Sequence, residues 1–234
     1  MLSLIIPTYN EQENIGTLID LLTVLLTKNN ITYELIVVDG NSNDKTQDIV
    51  NQRAKQNNQL KLLAQPKKAG LSQAVLAGFQ AAQYSFLAVM DADLSHKPQD
   101  LIQLYQAITS PLPNNTHPDL VIGSRYTRGG KIKNWPLKRR IISKGATLLA
   151  KPFTKAKDPL SGFFIIRKEC LSNCQLNSQG FKICLELLIN SKVKHIKEIP
   201  ITFEDRAKGK SKANIKEVFF YLSNLYKYAT HSLK

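Results

Sequence analysis

The sequence predicts an α/β fold in which a mostly parallel central sheet carries helices on both faces. Short apolar runs typical of buried strands alternate with longer segments whose apolar residues recur at helical spacing. Three polar clusters, "PTYNE", "DGNSND" and "DADLS", directly follow such runs. Because open α/β sheets bind ligands at the carboxyl ends of their strands, these clusters predict a binding crevice along that edge.

The first half of the chain contains four strand patterns separated by three helix patterns. Residues 2–6 are the first strand, and "ELIVVDG", "LKLLA" and "YSFLAVMDAD" are the next three. Residues 44–56 and 72–83 are predicted helices, and Pro98 is placed to occupy the first turn of a further helix. The first helix follows from an apolar stripe at helical spacing: Ile15, Leu18, Ile19, Leu22, Leu25 and Leu26.

After Ile122 the pattern is looser and more basic. "SRYTRGGKIKNWPLKRR" predicts a loop that leads into a helix over residues 136–150, and "DPLSGFFIIRKE" contains another strand-like core. "HIKEIPITFEDRAKGKSK" passes from a strand into a basic loop. The apolar stripe of "IKEVFFYLSNLYKYATHSLK" predicts a final amphipathic helix, suited to packing on the sheet or to lying on a membrane interface.

Composition points to one globular domain over residues 1–234 with a basic surface. The 32 Lys and Arg residues outnumber the 18 Asp and Glu residues, giving a formal net charge of +14. Such a surface attracts phosphate-rich partners. The amino terminus lacks the pattern of a signal peptide, and no apolar run reaches the ~18 residues of a membrane span, so we expect a soluble or peripheral protein.

Asp91 and Asp93 of "VMDADLSHKP" are the leading candidates for a metal site. In an extended strand, side chains two residues apart share a face and lie about 6.6 Å apart along the chain. A divalent cation would neutralise two such charges, and Mg²⁺ or Mn²⁺ commonly uses one or two carboxylates together with substrate phosphates. A solvated turn or a helix cap is the alternative for a bare pair, but its place after the most apolar strand favours the metal.

Several motifs together resemble one known enzyme family. "IIPTYNEQENI", "ELIVVDGNSNDKT" and "VMDADLSHKP", in this order and spacing, resemble the family 2 inverting glycosyltransferases of GT-A fold. The later segments "VIGSRYTRGG", "WPLKRRIISKGA", "DPLSGFFIIRKE", "GFKICLELL" and "EIPITFEDRAKGKSK" resemble the dolichyl or polyprenyl phosphate mannosyltransferases, which make a lipid-phosphate-linked mannose from GDP-mannose. The resemblance covers nearly the whole chain, and the later basic motifs are the ones that specify the lipid-phosphate branch.

For the donor, the resemblance implies a binding site at the ends of the first, second and fourth strands. The residues that would embrace the nucleoside are Pro7, Tyr9 and Glu11, with Val37 and Asp39 at the base and ribose. Asp91 and Ala92 would touch the nucleotide sugar. Glu11 also suits a helix N-terminus, and Asp39 or Asp44 a turn or cap, so these structural alternatives stay open.

For catalysis, the resemblance implies that Asp93 ligates Mg²⁺ or Mn²⁺, with Ser95 as the candidate second ligand. Arg206 and Lys212 would close over the donor diphosphate, with Lys182 nearby. The catalytic residues would be Asp93 and Arg206, since a metal and cationic side chains stabilise the charge that develops on a leaving nucleoside diphosphate.

For the acceptor, the resemblance implies that Arg125, Arg139 and Ser143 hold the phosphate of a polyprenyl or dolichyl lipid. A phosphate monoester is already anionic near neutral pH, because its second pKa is ~6, so no protein general base is required. Direct displacement would invert the anomeric centre and give polyprenyl β-D-mannosyl phosphate. The resemblance further implies a cytoplasmic protein bound peripherally to the cytoplasmic face of a membrane, directly or through a small membrane-anchoring partner.

Two alternatives remain. Gly40 and Asn41 follow Asp39 where many members of the family have a second acidic residue, so another donor such as UDP-glucose stays open. The same fold could also use another acceptor, for instance a glycan hydroxyl. A basic nucleic-acid-binding protein ranks lower, because the sequence has neither a basic motif interleaved with aromatic residues nor a helix-turn-helix pattern. We therefore expect no nucleic-acid partner.

Overall fold

Strands and helices alternate along the chain in nearly the predicted order. The computed structural model describes residues 1–66, 70–172, 174, 176, 182–205 and 215–231. The strands are β1 Leu2–Thr8, β2 Tyr33–Asp39, β3 Leu60–Ala64, β4 Phe86–Val89, β5 Leu120–Ser124, β6 Lys131–Lys133, β7 Phe164–Arg167, β8 Ile196–Pro200 and β9 Thr202–Glu204. The α-helices are α1 Ile15–Lys28, α2 Thr46–Ala54, α3 Leu71–Ala81, α4 Pro98–Thr109, α5 Leu137–Ala150, α6 Ile183–Asn190 and α7 Ile215–His231.

The central sheet is mostly parallel, as predicted. Its strand order is β3-β2-β1-β4-β7-β5-β8, and β7 runs antiparallel to both of its neighbours while the other pairs are parallel. Because β7 is reversed, its amino end lies beside the carboxyl ends of β4 and β5. The segment that enters β7 therefore reaches the same edge of the sheet as the segments that leave β4 and β5.

Helices cover both faces of the sheet because the strands are apolar on both sides. Leu4 and Ile6 of β1 pack into a cluster with residues of α1 and α4, whereas Ile5 packs on the opposite face with α3 and α6. Continuous burial of this kind is typical of parallel strands, whose crossover helices shield both faces. The predicted α/β architecture with helices on both faces is therefore confirmed.

Some predicted boundaries were wrong. The predicted fourth strand extends through Asp93, but β4 ends at Val89 and residues 91–94 form a turn. Pro98 begins α4 as expected, at a position where its missing N–H costs nothing. The sequence patterns did not predict β5, the helix α6, or the separate two-stranded sheet in which β6 pairs with β9.

Helices α5 and α7 pack together beside the sheet. A third apolar cluster joins Ala150 of α5, Leu160, Leu185 of α6, and Tyr221 and Leu225 of α7. The Tyr221 hydroxyl donates a hydrogen bond to the Ala146 carbonyl at 2.6 Å, which fixes one helix against the other. Within the described ranges, no helix is both long enough and apolar enough to cross a bilayer.

Candidate active site

Most of the predicted site residues that the structure describes lie along one edge of the sheet. The loops after β1, β2, β4 and β5 leave the sheet there, and the segment before β7 arrives there. Met90 N–H donates to the Ile5 carbonyl at 3.1 Å, so the turn after β4 begins beside the second half of β1. This edge corresponds to the ligand-binding crevice of open α/β sheets.

The loops after β1 and β2 are tied together by side-chain hydrogen bonds. Asn10 N–H donates to the Ser42 hydroxyl at 2.8 Å, and Asn43 N–H donates to the Asn10 side-chain oxygen at 2.9 Å. Glu11 N–H donates to the Thr46 hydroxyl at 2.9 Å, which holds the loop against the start of α2. These bonds place the half-buried side chains of Tyr9 and Glu11 on one rigid rim beside Asp39.

Asp39 is fully buried and organises the same rim. Its carboxylate accepts hydrogen bonds from the Thr8 hydroxyl, the Ser42 N–H and hydroxyl, and the Gln47 amide. Asp44, in turn, accepts from the backbone and hydroxyl of Thr46 at the start of α2. Asp39 and Asp44 therefore both stabilise the loops of this rim, as their alternative roles in a turn or cap predict. Pro7 and Val37 are buried beneath the rim.

Asp91 and Asp93 do not share a strand face, because both lie beyond the end of β4. Leu94 has a φ of +60°, a left-handed conformation that is strained for a side chain of its size. The turn lets Ser95 N–H donate to Asp93 Oδ1 at 3.0 Å. Asp93 is only 5% exposed and Ala92 is buried, whereas the Asp91 side chain is 31% exposed. The two carboxylates therefore occupy different environments.

The turn offers oxygen ligands suited to a hard cation. The Ser95 hydroxyl is buried next to Asp93, and its oxygen has no hydrogen-bond partner among the described residues. Sites for Mg²⁺ or Mn²⁺ next to phosphates commonly combine one or two carboxylates with phosphate and water oxygens. The Asp93 carboxylate and the Ser95 hydroxyl fit such a site.

Arg125 forms a buried ion pair that sequence reasoning missed. Its Nε and Nη2 donate to the two oxygens of Asp158 at 2.8 and 2.7 Å, and its backbone N–H donates to Asp158 at 2.8 Å. Asp158 has no exposed surface. Burial is the largest single influence and lowers the pKa of the Arg125 guanidinium. The hydrogen bonds that Arg125 donates to Asp158, together with the charge of Asp158 and of its other neighbours, outweigh burial and raise the pKa above its usual value. Arg125 therefore stays cationic at this edge.

Arg139 and Ser143 project from one side of α5 toward this edge. Arg139 stacks over the Trp135 ring at 4.2 Å and pairs with Asp205 at 2.6 Å, just after β9. The Tyr126 hydroxyl donates to Ser143 Oγ at 2.8 Å, which links α5 to the loop after β5. The structure thus places the three predicted acceptor residues around that loop and α5.

A basic cavity of about 290 Å³ opens beside this group. Its lining is formed by Arg125, Tyr126, Thr127, Gly130, Ile132, Arg140 and Lys144. Arg140 and Lys144 lie one turn apart on α5, and Arg140 Nη2 donates to the Ile132 carbonyl at 3.1 Å. Neither cation is among the predicted site residues, although their i, i+4 spacing, which puts both on one side of a helix, was a usable signal.

The remaining predicted donor residues are Lys182, Arg206 and Lys212. Lys182 is half-buried immediately before α6, whose apolar residues pack on the face of the sheet that also carries α3. Arg206 and Lys212 lie outside the described residues. The backbone before them is anchored, since Glu204 N–H donates to the Ser95 carbonyl at 3.1 Å.

Comparison with known proteins agrees with this geometry. Residues 3–174 match the family described as Glycosyl transferase family 2. The chain is 41% identical over 229 residues to a dolichol-phosphate mannosyltransferase of Pyrococcus furiosus, covering 96% of this chain and 62% of that protein. It is 39% identical over 233 residues to the dolichol-phosphate mannosyltransferase of Saccharomyces cerevisiae, covering 95% of this chain and 85% of that protein. The chain thus spans less than two thirds of the archaeal relative.

Solved structures share the fold at low sequence identity. Glucosyl-3-phosphoglycerate synthase from Mycobacterium tuberculosis, in complex with Mn²⁺, UDP and glucosyl-3-phosphoglycerate, superposes with a TM-score of 0.66 at 17% identity. The match covers 98% of this chain and 78% of that one. A second mycobacterial protein gives a TM-score of 0.67 at 16% identity, covering 91% of this chain and 68% of that one. The strand-edge site, the GT-A fold and these matches lead to one conclusion: the chain is a glycosyltransferase that belongs to glycosyl transferase family 2.

Proposed function

We propose that this glycosyltransferase moves mannose from GDP-mannose to a polyprenyl or dolichyl phosphate, giving polyprenyl β-D-mannosyl phosphate. The observation that carries the proposal is the arrangement of the edge, where carboxylates of the turn after β4 lie on one side and the cations of Arg125 and α5 on the other. An enzyme that joins two anionic substrates needs positive charge for each of them, here a metal held by the carboxylates on one side and the cations on the other. The names of the relatives support the mannose donor chemistry and the lipid acceptor.

The donor would lie on the rim formed by the loops after β1 and β2. Pro7, Tyr9 and Glu11 would hold the nucleoside, with Val37 and Asp39 at its base and ribose. The sugar would reach Asp91 and Ala92. Lys182, Arg206 and Lys212 would provide positive charge for the diphosphate, since cations there stabilise the leaving group as the glycosidic bond breaks.

Asp93 and Ser95 would hold Mg²⁺ or Mn²⁺. When bound, such an ion neutralises charge on the donor diphosphate and so makes it a better leaving group. The buried and unpartnered Ser95 hydroxyl supports this assignment. The left-handed turn at Leu94 adds support, because backbone strain tends to be retained at functional sites.

The acceptor phosphate would bind between Arg125, Arg139 and Ser143. Asp158 uses Nε and Nη2 of Arg125, and Nη1 is the donor that a phosphate oxygen would use. Arginine suits this task because its guanidinium carries five N–H donors, so an ion pair with a carboxylate still leaves N–H groups for a phosphate oxygen. One phosphate oxygen would then attack the anomeric carbon, forming the new C–O bond as the bond to GDP breaks, and inversion follows from this single displacement.

The lipid would approach from a membrane surface beside α5 and α7. Leu137, Ile141 and Leu148 of α5 are exposed, as are Leu222 and Tyr226 of α7. Arg139 and Ser143 lie on the opposite side of α5 from the first three, by the helical repeat. A helix with an exposed apolar stripe and flanking cations suits the interface of an anionic leaflet, here the cytoplasmic one, alone or with a small anchoring partner.

A donor-by-acceptor transfer assay tests the proposal. Purified protein with Mg²⁺ or Mn²⁺ is given GDP-mannose or UDP-glucose, each with polyprenyl phosphate or with a polyprenol that lacks the phosphate. We expect product only from GDP-mannose with the lipid phosphate. Transfer from UDP-glucose alone would contradict the donor assignment, and equal transfer to the phosphate-free polyprenol would contradict the acceptor site.

A further inference from the structure

His96 is a buried polar side chain that the proposed chemistry leaves unused. It is 2% exposed and lies between the rings of Phe163 and Phe203, at centroid distances of 4.9 and 5.0 Å. Neither ring nitrogen has a hydrogen-bond partner among the described residues. Buried polar groups are nearly always partnered, so an imidazole kept in this state calls for an explanation.

The imidazole lies close to the candidate sugar-binding carboxylate. His96 Nε2 lies 3.6 Å from Asp91 Oδ2, a few tenths of an ångström beyond a hydrogen bond. The backbone at Gly162 also approaches this carboxylate, since a Cβ atom added there would come within 3.1 Å of Oδ2. Asp91 is thus confined by His96 and by the backbone at Gly162, while part of its surface stays exposed.

The aromatic neighbours fix the imidazole on the elements that build the edge. Phe163 immediately precedes β7, and Phe203 belongs to β9. Glu204 N–H also donates to the Ser95 carbonyl, so β9 holds both residues of the pair Ser95 and His96. The ring therefore has little freedom to turn away, and a small shift of Asp91 suffices to close the gap to Nε2.

We infer that His96 is a positioning residue for Asp91. Its Nε2–H donates to Oδ2 when a sugar nucleotide is bound, which leaves Oδ1 directed at a hydroxyl of the transferred sugar. Hydrogen bonds in unliganded active sites are often long and tighten when the substrate binds. This role rests on one part of the proposed function, namely the contact between Asp91 and the donor sugar. The alternative is that His96 only fills space between two phenylalanine rings.

Two substitutions distinguish these roles, because each removes one property of histidine and keeps the other. His96→Phe keeps an aromatic ring between Phe163 and Phe203 but removes the N–H donor. His96→Gln loses ring packing but places an amide N–H near the position of Nε2. A space-filling role predicts that Phe is tolerated better than Gln, whereas a positioning role predicts the reverse for sugar recognition.

Calorimetric titration with GDP-mannose and with GDP, both with Mn²⁺, provides the test, and thermal unfolding monitors the fold. We expect His96→Phe to weaken GDP-mannose binding by about tenfold or more, the effect of losing a hydrogen bond to a charged group, and to leave GDP binding unchanged. His96→Gln should retain most of the GDP-mannose affinity. The inference is overturned if His96→Phe binds GDP-mannose as the unsubstituted protein does, or if both ligands lose affinity equally.

The unsubstituted protein distinguishes this inference from the proposed function. If it binds UDP-glucose but not GDP-mannose, the donor assignment fails, and the same comparison with UDP-glucose and UDP then decides the role of His96. If it binds neither sugar nucleotide, both the proposed function and the inference are wrong.

Discussion

The Arg125 side chain is positioned by a buried ion pair. Its guanidinium is nearly buried beneath the rings of Tyr126 and Trp135, and Asp158 supplies a two-point ion pair. Taking two charges out of water is costly, and the cost is recovered only while both partners are present. The pair therefore positions Arg125, and it makes the fold at this edge sensitive to the loss of either member.

Arg125→Ala is predicted to destabilise the protein strongly, because it leaves the Asp158 carboxylate buried without its partner. We expect a loss of about 3–5 kcal/mol in the free energy of unfolding, measured by urea denaturation. Arg53→Ala is the matched control, since Arg53 pairs with the exposed Asp20. That change should cost about 1 kcal/mol or less. Similar losses for the two variants would show that the buried ion pair contributes no more to the free energy of unfolding than the exposed one.

Sequence patterns predicted which residues line the edge of the sheet. They did not predict the contacts and backbone conformations that position those residues. Asp91, Asp93 and Arg125 follow apolar runs, so their location at strand ends was readable. The partnership of Arg125 with Asp158 joins positions 33 residues apart and carries no local pattern. The left-handed turn at Leu94 was equally hidden, because leucine has no preference for that conformation.

Among the secondary-structure elements, helix α3 packs closely on β1, and Gly78 is the point of contact. An added Cβ at Gly78 would come within 2.5 Å of the Ile5 side chain, whereas one at Gly145 of α5 would meet nothing within 4 Å. Ile5 is fully buried in the central strand of the parallel part of the sheet and has a stiff, branched side chain. Glycine at position 78 thus sets the distance between helix and sheet.

The same substitution at these two glycines is predicted to have opposite effects. Gly78→Ala should destabilise the protein by about 1–3 kcal/mol through overpacking. Gly145→Ala should stabilise it by about 0.5–1 kcal/mol, because alanine loses less backbone entropy than glycine in a helix. Thermal and urea unfolding of both variants check this, and a stable Gly78→Ala protein would mean that α3 is free to shift.

The order of the elements was more predictable than their directions and ends. Alternating apolar patterns identify β1, β2, β3 and the helices between them, because each element has to bury its own face. The direction of β7 was not readable, since "FIIR" packs equally well either way and only the tertiary connection decides. The early end of β4 at Val89 likewise depends on the turn that presents Asp91 and Asp93.

At the scale of the whole molecule, positive charge and exposed apolar surface occur together. The chain carries a formal net charge of +14. Most of the large apolar side chains exposed in the described residues belong to α5 and α7, the helices next to the basic cavity. This combination matches the proposed approach of a lipid phosphate from an anionic membrane surface.

Ile141→Ser is predicted to weaken membrane binding, because Ile141 is 62% exposed on the outer stripe of α5. Binding to vesicles of phosphatidylserine and phosphatidylcholine, measured by co-sedimentation, should fall by about thirtyfold, since burying such a side chain in an apolar phase contributes about 2 kcal/mol. Val24→Ser on α1 is the control, because Val24 is 67% exposed and lies away from α5 and α7 in the sequence. Equal losses for both variants would rule out α5 as the contact surface.

The proposed reaction requires a divalent metal held by Asp93, and the metal dependence of sugar transfer measures this requirement. Transfer from GDP-mannose to polyprenyl phosphate is measured with Mn²⁺ or Mg²⁺, with excess chelator, and after the metal is restored, for the unsubstituted protein and for Asp93→Asn. We predict that chelation abolishes transfer reversibly, and that Asp93→Asn is inactive with metal while its thermal stability is retained. Full activity in excess chelator, or in Asp93→Asn, would contradict the account.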